Sequence, residues 1–506
     1  MPPLLTLRGR LFVLGAFFVT AAGVCAPGCA RQQQPEIPAT LRIGVGVPTQ
    51  ASQDTGAPIV IRLLTSEAWV TNRPDGRQAE RIATSWTWDE SHTTLRLKLR
   101  NDVYFHDGER LTPELAAQAL RLTHKFAARE AASFANVTSI DVSGPDSVDL
   151  KLSEYNAFIV PDLSAVTLRK PGNDTIATGP FRVVSRSADQ GAKLAAFPQY
   201  FRGRPGLDAI EIITYPTQRN AWTAMMRGDI DMLHEVSRDA AEFVQAESTV
   251  RSYSFPRPYY VPLVFNMRHP ILKRADVRQA INEALDRTAL VRDAMSGRGR
   301  PADGPIFPQH WSYTAPKQLF VFDPASARAK LDAAGLRLKS AAGTGPIRFS
   351  FTCLVFAEDT RFDRLAVLVQ KQLADVGIEM KLQAVPLKQI AGRAATGEFD
   401  AFIFEMAGRS LSWVYQFWRS GGGINNSGYT AADVTLDKIR RARSEDETRE
   451  YVAELERIMH ADPPAAFLTW QETARAVSTK FDVAPEENRD IMASLWQWRP
   501  ARQASK

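Results

Sequence analysis

The chain has 506 residues, 44% of them hydrophobic and 23% charged, an ordinary globular composition with room for several domains and a core in each. Its 62 basic and 56 acidic residues leave a net charge of +6, too diffuse an excess for nucleic-acid binding, which needs a concentrated basic stripe. Beyond Cys25 and Cys29 only Cys353 remains, so the body has no disulfide or zinc framework to be built from cysteine.

In chain order, Arg8 and Arg10 precede an apolar run at 11–24, which is followed by Ala26-Pro27-Gly28-Cys29. A stretch of about 14 apolar residues suits an export signal and falls short of the ~20 that cross a membrane. The segment resembles a bacterial lipobox, which implies a signal peptide over 1–28 and a lipid on Cys29. Residues 29–38 then read as a polar, Pro-containing tether. The body is expected in the cell envelope, on the outer face of the cytoplasmic membrane or in the periplasm.

Leu41 to Val47 predicts a first strand. Leu95, Leu97 and Leu99 alternate with Arg96, Lys98 and Arg100, a half-buried strand of period two. Ile140–Val142 and Val148–Leu152 alternate likewise across the turn 144–147, predicting a hairpin. Val277, Ala280, Ile281, Ala284 and Leu285 share a helical face, with Asp276 as the expected N-cap. Phe362, Leu365, Ala366, Val369, Leu373 and Val376 form a second stripe, closed by Gly377 before the alternating Ile378, Met380 and Leu382. Phe399–Phe404 reads as a buried strand, and Tyr451, Leu455, Ile458 and Met459 as a late helix. The stretch 337–346 reads as a linker. The order is mixed α/β, with helices feeding strands.

Catalytic patterns are sparse. The seven histidines are all at least ten residues apart, and no HExxH, GxSxG or phosphate-binding GxxxxGK[ST] occurs. His106-Asp107-Gly108 and Gly228-Asp229 read as turns. Gly44-x-Gly46 lacks the third glycine of a dinucleotide loop. No catalytic residue, metal site or cofactor is expected. Trp413, Tyr415, Phe417 and Trp418 instead precede a run rich in glycine and asparagine, 421–429. Aromatics beside adaptable polar groups suit the wall of a solute pocket, although a packed core shares that composition.

Several blocks then occur in a familiar order: Ala83-Thr84-Ser85-Trp86, the run from Leu95 to Gly108, Thr178-Gly179-Pro180-Phe181, Pro198 to Asp208, Val277-Arg278-Gln279-Ala280-Ile281, and Asp323-Pro324. Over nearly all of 40–500 the chain resembles the family 5 extracellular solute-binding proteins, the oligopeptide, dipeptide and nickel receptors of ABC importers. The resemblance implies an α/β, two-lobed periplasmic-binding-protein fold of type II, in the large cluster with an extra domain and a ligand cleft between lobes. It implies a first lobe from 37–66, 178–259 and 477–506, an extra domain over 67–177 packed on that lobe, and a second lobe over 260–476. It further implies a monomer that captures a peptide or other small polar solute and hands it to a permease and its ATPase subunits. An extracytoplasmic hydrolase on the same scaffold and a non-transport sensor are the alternatives.

The expected ligand contacts are stacking by Trp69, Trp413, Trp418 and Trp470, with Tyr260, Asn266, Glu405, Arg409 and Asn425 as polar partners. Peptide-binding relatives place an aspartate after the strand matching Phe399–Phe404. Here that position falls at Ala407-Gly408-Arg409-Ser410, with no carboxylate. A guanidinium there attracts carboxylate or phosphate, while Glu405 offers a compensating carboxylate if it faces the cleft. Both a peptide and an anionic or sugar-like solute stay open.

Overall fold

In the computed structural model, the described residues are 39–46, 56–124, 132–187, 191–237, 240–314, 320–341, 344–357, 360–422 and 426–502. The expected signal segment, the expected tether with Cys29, and Asn425 lie outside them. The alternation of Leu41, Ile43 and Val45 yields the strand Thr40–Gly46, with all three side chains buried. It pairs in parallel with Ala209–Tyr215 and Met232–Leu233. Its two glycines serve packing, because a Cβ on Gly46 would stand 2.5 Å from the Gln218 Cα, and one on Gly44 would strike Ile230.

These strands belong to one mixed sheet. Its order is Phe181–Arg186, Ala192–Ala196, Ala209–Tyr215, Thr40–Gly46, Met232–Leu233, Ala465–Ser478, Val250–Phe265, Ala401–Ile403, Phe349–Phe356 and Ile378–Val385. The two long strands, Val250–Phe265 and Ala465–Ser478, run antiparallel from Val250↔Ser478 to Val264↔Ala465. One end carries Met232–Leu233 on Val477 and Ala476. The other carries Ala401–Ile403 on Leu263 to Phe265. They therefore cross from one half of the molecule to the other. Their register breaks between Pro256 and Tyr260 and again at Val261/Pro262. Pro256, Pro258 and Pro262 lack the N–H that a ladder needs.

Separate cores flank the crossing. Leu41, Ile43, Phe181, Ile210, Val477 and Trp498 fill one half. On the other side, Leu263, Val277, Ile281, Leu365, Val369 and Ile378 form a core between helices and sheet. The predicted stripe lies on helix Thr360–Ala374, where Leu365, Val369 and Leu373 are fully buried. Each contributes about 1.5–3 kcal/mol by leaving water, so a charged residue at Leu365 would break this face. Gly377, at φ +84°, turns the chain into Ile378–Val385, a conformation glycine adopts without strain. Cys353 is buried and free, its thiol pushed up by burial.

A third core, Trp69 to Leu168, sits under a four-stranded antiparallel sheet ordered Ala83–Trp88, Thr94–Leu99, Ser147–Leu152, Val137–Gly144. This segment touches both neighbours. Toward the first half, His106 packs on Phe197, and its Nε2 lies 3.1 Å from the Gly179 carbonyl. Toward the second, Phe158 joins the core of Phe402, Trp418 and Leu455. There the Ala157 amide donates to the Arg440 carbonyl at 2.8 Å, and Arg77 forks onto Glu445 at 2.9 and 2.8 Å.

Two local expectations are corrected. The N-cap of helix Ala275–Glu283 is Arg274, and Asp276 lies inside the first turn, paired with Arg274 at 2.7 Å and accepting from the Val277 amide at 2.9 Å; the helix starts ahead of its apolar stripe, which leaves Asp276 within it. The 337–346 stretch is not a plain linker, for Lys339–Ala341 pairs with Thr344–Ile347 as a hairpin.

Candidate ligand-binding site

In open α/β sheets ligands sit outside the carboxyl ends of parallel strands. Here the two halves bring such ends together beside the crossing. The segment after Met232–Leu233 meets the segment after Phe349–Phe356: Arg361 Nη1 lies 3.7 Å from Glu235 Oε1. Arg298 Nη1 donates to the Val236 carbonyl at 2.9 Å. Phe404, just past Ala401–Ile403, stacks on Phe362 at 5.6 Å and meets Phe356 edge-on at 5.9 Å.

The crossing carries a polar row. Gln471, buried on the second long strand, donates through Nε2 to Glu405 Oε2 at 2.9 Å. Its Oε1 accepts from Arg257 Nη1 at 3.4 Å. Arg257 lies where the register of the first long strand fails, its guanidinium 4.6 Å from the Tyr259 ring. Carboxylate, amide and guanidinium thus stand in line, and Glu405 and Arg257 stay partly exposed. Behind them Arg475 forks onto Asp490 at 2.5 Å and reaches His234 Nδ1 at 2.5 Å. Burial first, then the Arg475 and Arg257 charges, hold His234 well below the usual imidazole range, so it stays neutral.

Beneath the row is an aromatic layer. Tyr260 is fully buried and its hydroxyl accepts from Trp418 Nε1 at 2.9 Å. Trp470 packs 5.0 Å from Tyr260 and 5.2 Å from Phe307. Its indole packs close against Gly408, where any Cβ would stand 2.5 Å from Cη2. Helix Leu411–Trp418 leads out of this layer. Arg409, exposed just before it, lies 5.3 Å from the Trp413 ring centroid, and Trp413 is half-buried.

The structure therefore divides the expected contacts. Glu405, Arg409 and Trp413 lie at or beside the crossing with exposed surface. Tyr260, Trp418 and Trp470 are nearby but buried at 0%, 1% and 1% exposure, and they form the floor's packing. Asn266 is buried with its amide donating to the Gly397 and Phe399 carbonyls and accepting from the Arg268 amide, so its polar atoms serve the backbone. Trp69 is fully buried inside the 69–168 core, and its role is packing there. Sequence reading missed Arg257, Gln471, Glu235, Arg361 and Phe404. The prolines around Arg257 were the available signal. A groove of about 530 Å³ lies elsewhere, between helices Asp433–Arg441 and Glu445–Ala461 and lined by Lys438, Arg441, Arg443 and Tyr451 among others. None of its lining residues belongs to the crossing.

Two α/β halves sharing a pair of continuous strands, with charged and aromatic side chains gathered over the shared strands, define the class of two-lobed binding proteins. A model of the bacterial extracellular solute-binding proteins, family 5, matches residues 78–428. The oligopeptide-binding protein AppA of Bacillus subtilis is 26% identical over 440 residues, covering 79% of this chain and 80% of AppA. Among solved structures, NikA from Brucella suis in complex with Fe(III)-EDTA superposes with a TM-score of 0.80 at 18% identity, covering 91% of this chain and all of that one. B. subtilis AppA in complex with a nonapeptide superposes with a TM-score of 0.74 at 20% identity, over 92% of this chain and 100% of AppA. The chain belongs to the family 5 bacterial extracellular solute-binding proteins. Members of that family bind solutes and are not enzymes, which disfavours the hydrolase alternative.

Proposed function

We propose that this protein captures a peptide or other small polar solute over the crossing strands, releases it unaltered, and delivers it to the permease of an ABC importer. The observation that carries this reading is the Glu405–Gln471–Arg257 row, whose two charged members are partly exposed and of which Arg257 and Gln471 lie on the strands common to both halves. A ligand held there touches both lobes at once and so favours their closed arrangement. The naming of B. subtilis AppA as an oligopeptide-binding protein supports a peptide as the solute. Arg409 beside Trp413 supports a ligand that also carries an anionic group. Residues 37–66, 178–259 and 477–506 form the first lobe in this reading, 260–476 the second, and 67–177 the additional domain; the segregated cores support that division. Cys29 carries the lipid, and the mature protein works as a monomer on the outer face of the membrane or in the periplasm.

Native mass spectrometry of protein purified from its own envelope tests the reading. A co-purified peptide or anionic solute, recovered unchanged and rebound with at least tenfold lower affinity by Arg409→Ala, is expected. Turnover of a peptide or glycoside library by the purified protein would overturn it. Cys29→Ser should move the protein from the membrane fraction to the soluble fraction.

A further inference from the structure

The aromatic helix Leu411–Trp418 begins without a cap of its own. The side chain of its N-cap, Ser410, makes no capping bond, and its first turn carries no acidic residue. The amides of a helix start attract negative charge. A carboxylate is supplied there from a distant stretch of chain. Asp162, at the end of the short helix Ile159–Asp162 in the 67–177 segment, accepts a hydrogen bond from Ser412 Oγ at 3.2 Å. Within its own segment the same Oδ2 accepts from Ser133 Oγ at 2.6 Å and from the Ser133 amide at 3.2 Å. Asp162 is 3% exposed, and a lone buried carboxylate persists only where donors surround it. Arg409 supplies the nearby opposite charge. Phe158, four residues earlier, meets Tyr415 of the same helix edge-on at 5.6 Å.

We infer that Asp162 is a positioning residue for solute binding: from the 67–177 segment it fixes the start of the aromatic helix, and thereby the Arg409–Trp413 wall, in place. The inference rests on the reading that this wall faces the solute. It gives the additional domain a role in binding although no residue of it need touch the ligand. The groups facing the carboxylate are Ser133 from 132–136, Ser412 from the aromatic helix, and Arg409 from the segment before it. Burial, the dominant influence, pushes its carboxyl up to about 6. The anchoring charge is therefore present above that pH and lost below it.

The test compares full-length wild type, Asp162→Asn and Ser412→Ala by hydrogen exchange of the amides of 411–414, corrected for intrinsic rate, from pH 5 to 8. The same proteins are titrated with a synthetic tripeptide pool. Asp162→Asn should speed exchange at pH 7.5 by about fivefold, as loss of a charge at a helix terminus implies. Wild type should show a step near pH 6 that Asp162→Asn lacks, and Ser412→Ala should fall between them. Tripeptide affinity should drop in parallel. Ser412→Ala leaves Asp162 its Ser133 bonds, so it decides the question if Asp162→Asn misfolds. Equal protection in all three proteins, with no step in wild type, overturns the inference. Altered exchange with no tripeptide bound by any of them sustains the anchoring of the helix and removes the peptide reading instead.

Discussion

Replacing Tyr260 with phenylalanine separates a structural hydroxyl from a ligand-binding one. The substitution keeps the ring, its 5.0 Å approach to Trp470 and its 5.8 Å approach to Phe467. It deletes one oxygen, the acceptor 2.9 Å from Trp418 Nε1. Both side chains are at most 1% exposed, so water does not replace the lost partner. An unsatisfied buried donor costs about 1–3 kcal/mol, and Tyr260→Phe should destabilise the protein by that amount in guanidinium unfolding. In a Trp418→Phe background the donor is already gone, so the same change should cost at least about 1 kcal/mol less, the signature of a coupled pair. Affinity for the co-purified solute should stay within about twofold, since no contact at the polar row changes. Unaltered stability with a tenfold loss of affinity would refute the assignment and return the hydroxyl to the ligand.

Further outcomes follow from neighbouring geometry. Gly408→Val should cost about 1–3 kcal/mol by overpacking, because its Cβ would stand 2.5 Å from Trp470 and 3.0 Å from the Pro305 carbonyl; thermal melting reads this directly. Burial pushes the Glu456 carboxyl up to about 8 from an ordinary 4.5, with Thr314 as its hydrogen-bond donor at 3.1 Å. Its folded-state value is raised, so its contribution is complete below about pH 4.5 and declines as pH rises toward 8. Glu456→Gln should therefore lose less melting temperature than wild type between pH 5 and pH 8. Glu445→Ala removes the fork to Arg77, whose partners are 33% and 50% exposed. Such exposed pairs contribute about 1 kcal/mol or less, so solute affinity should change by no more than about fivefold, and about 1 M salt should erase the difference.

Periodicity made the regular elements legible. Alternation at 41–45 and 95–99 and the stripe at 362–373 depend only on which face meets the core, and all three sit where their spacing puts them. Asp276 misled because the helix begins at Ala275, ahead of the apolar stripe that Val277 opens. The 337–346 stretch misled because small residues suit a tight hairpin as well as a linker. The aromatics were ambiguous for a deeper reason. Walls of pockets and cores share composition, and only the packing of Trp470 on Gly408 and the bond from Trp418 to Tyr260 assign those rings to the interior. The polar row was illegible because residues 257, 405 and 471 are far apart in the chain and meet only in the folded molecule, through side-chain hydrogen bonds.

One feature of sequence does mark the crossing. Pro256, Pro258 and Pro262 fall within seven residues of a sixteen-residue strand, a density that a central strand excludes unless its ladder is broken. The ladder is broken there, twice. The strand is continuous through both halves, so any change in their relative angle must bend it somewhere. Bending costs least where hydrogen bonds are already missing. Arg257 and Tyr259 lie in that gap, and Gln471 reaches across to Arg257 from the facing strand. In the proposed reading, Arg257 and Gln471 would hold a solute on or beside the segment that bends at least cost, and occupancy would then be tied to the angle between the lobes without any relay through the cores.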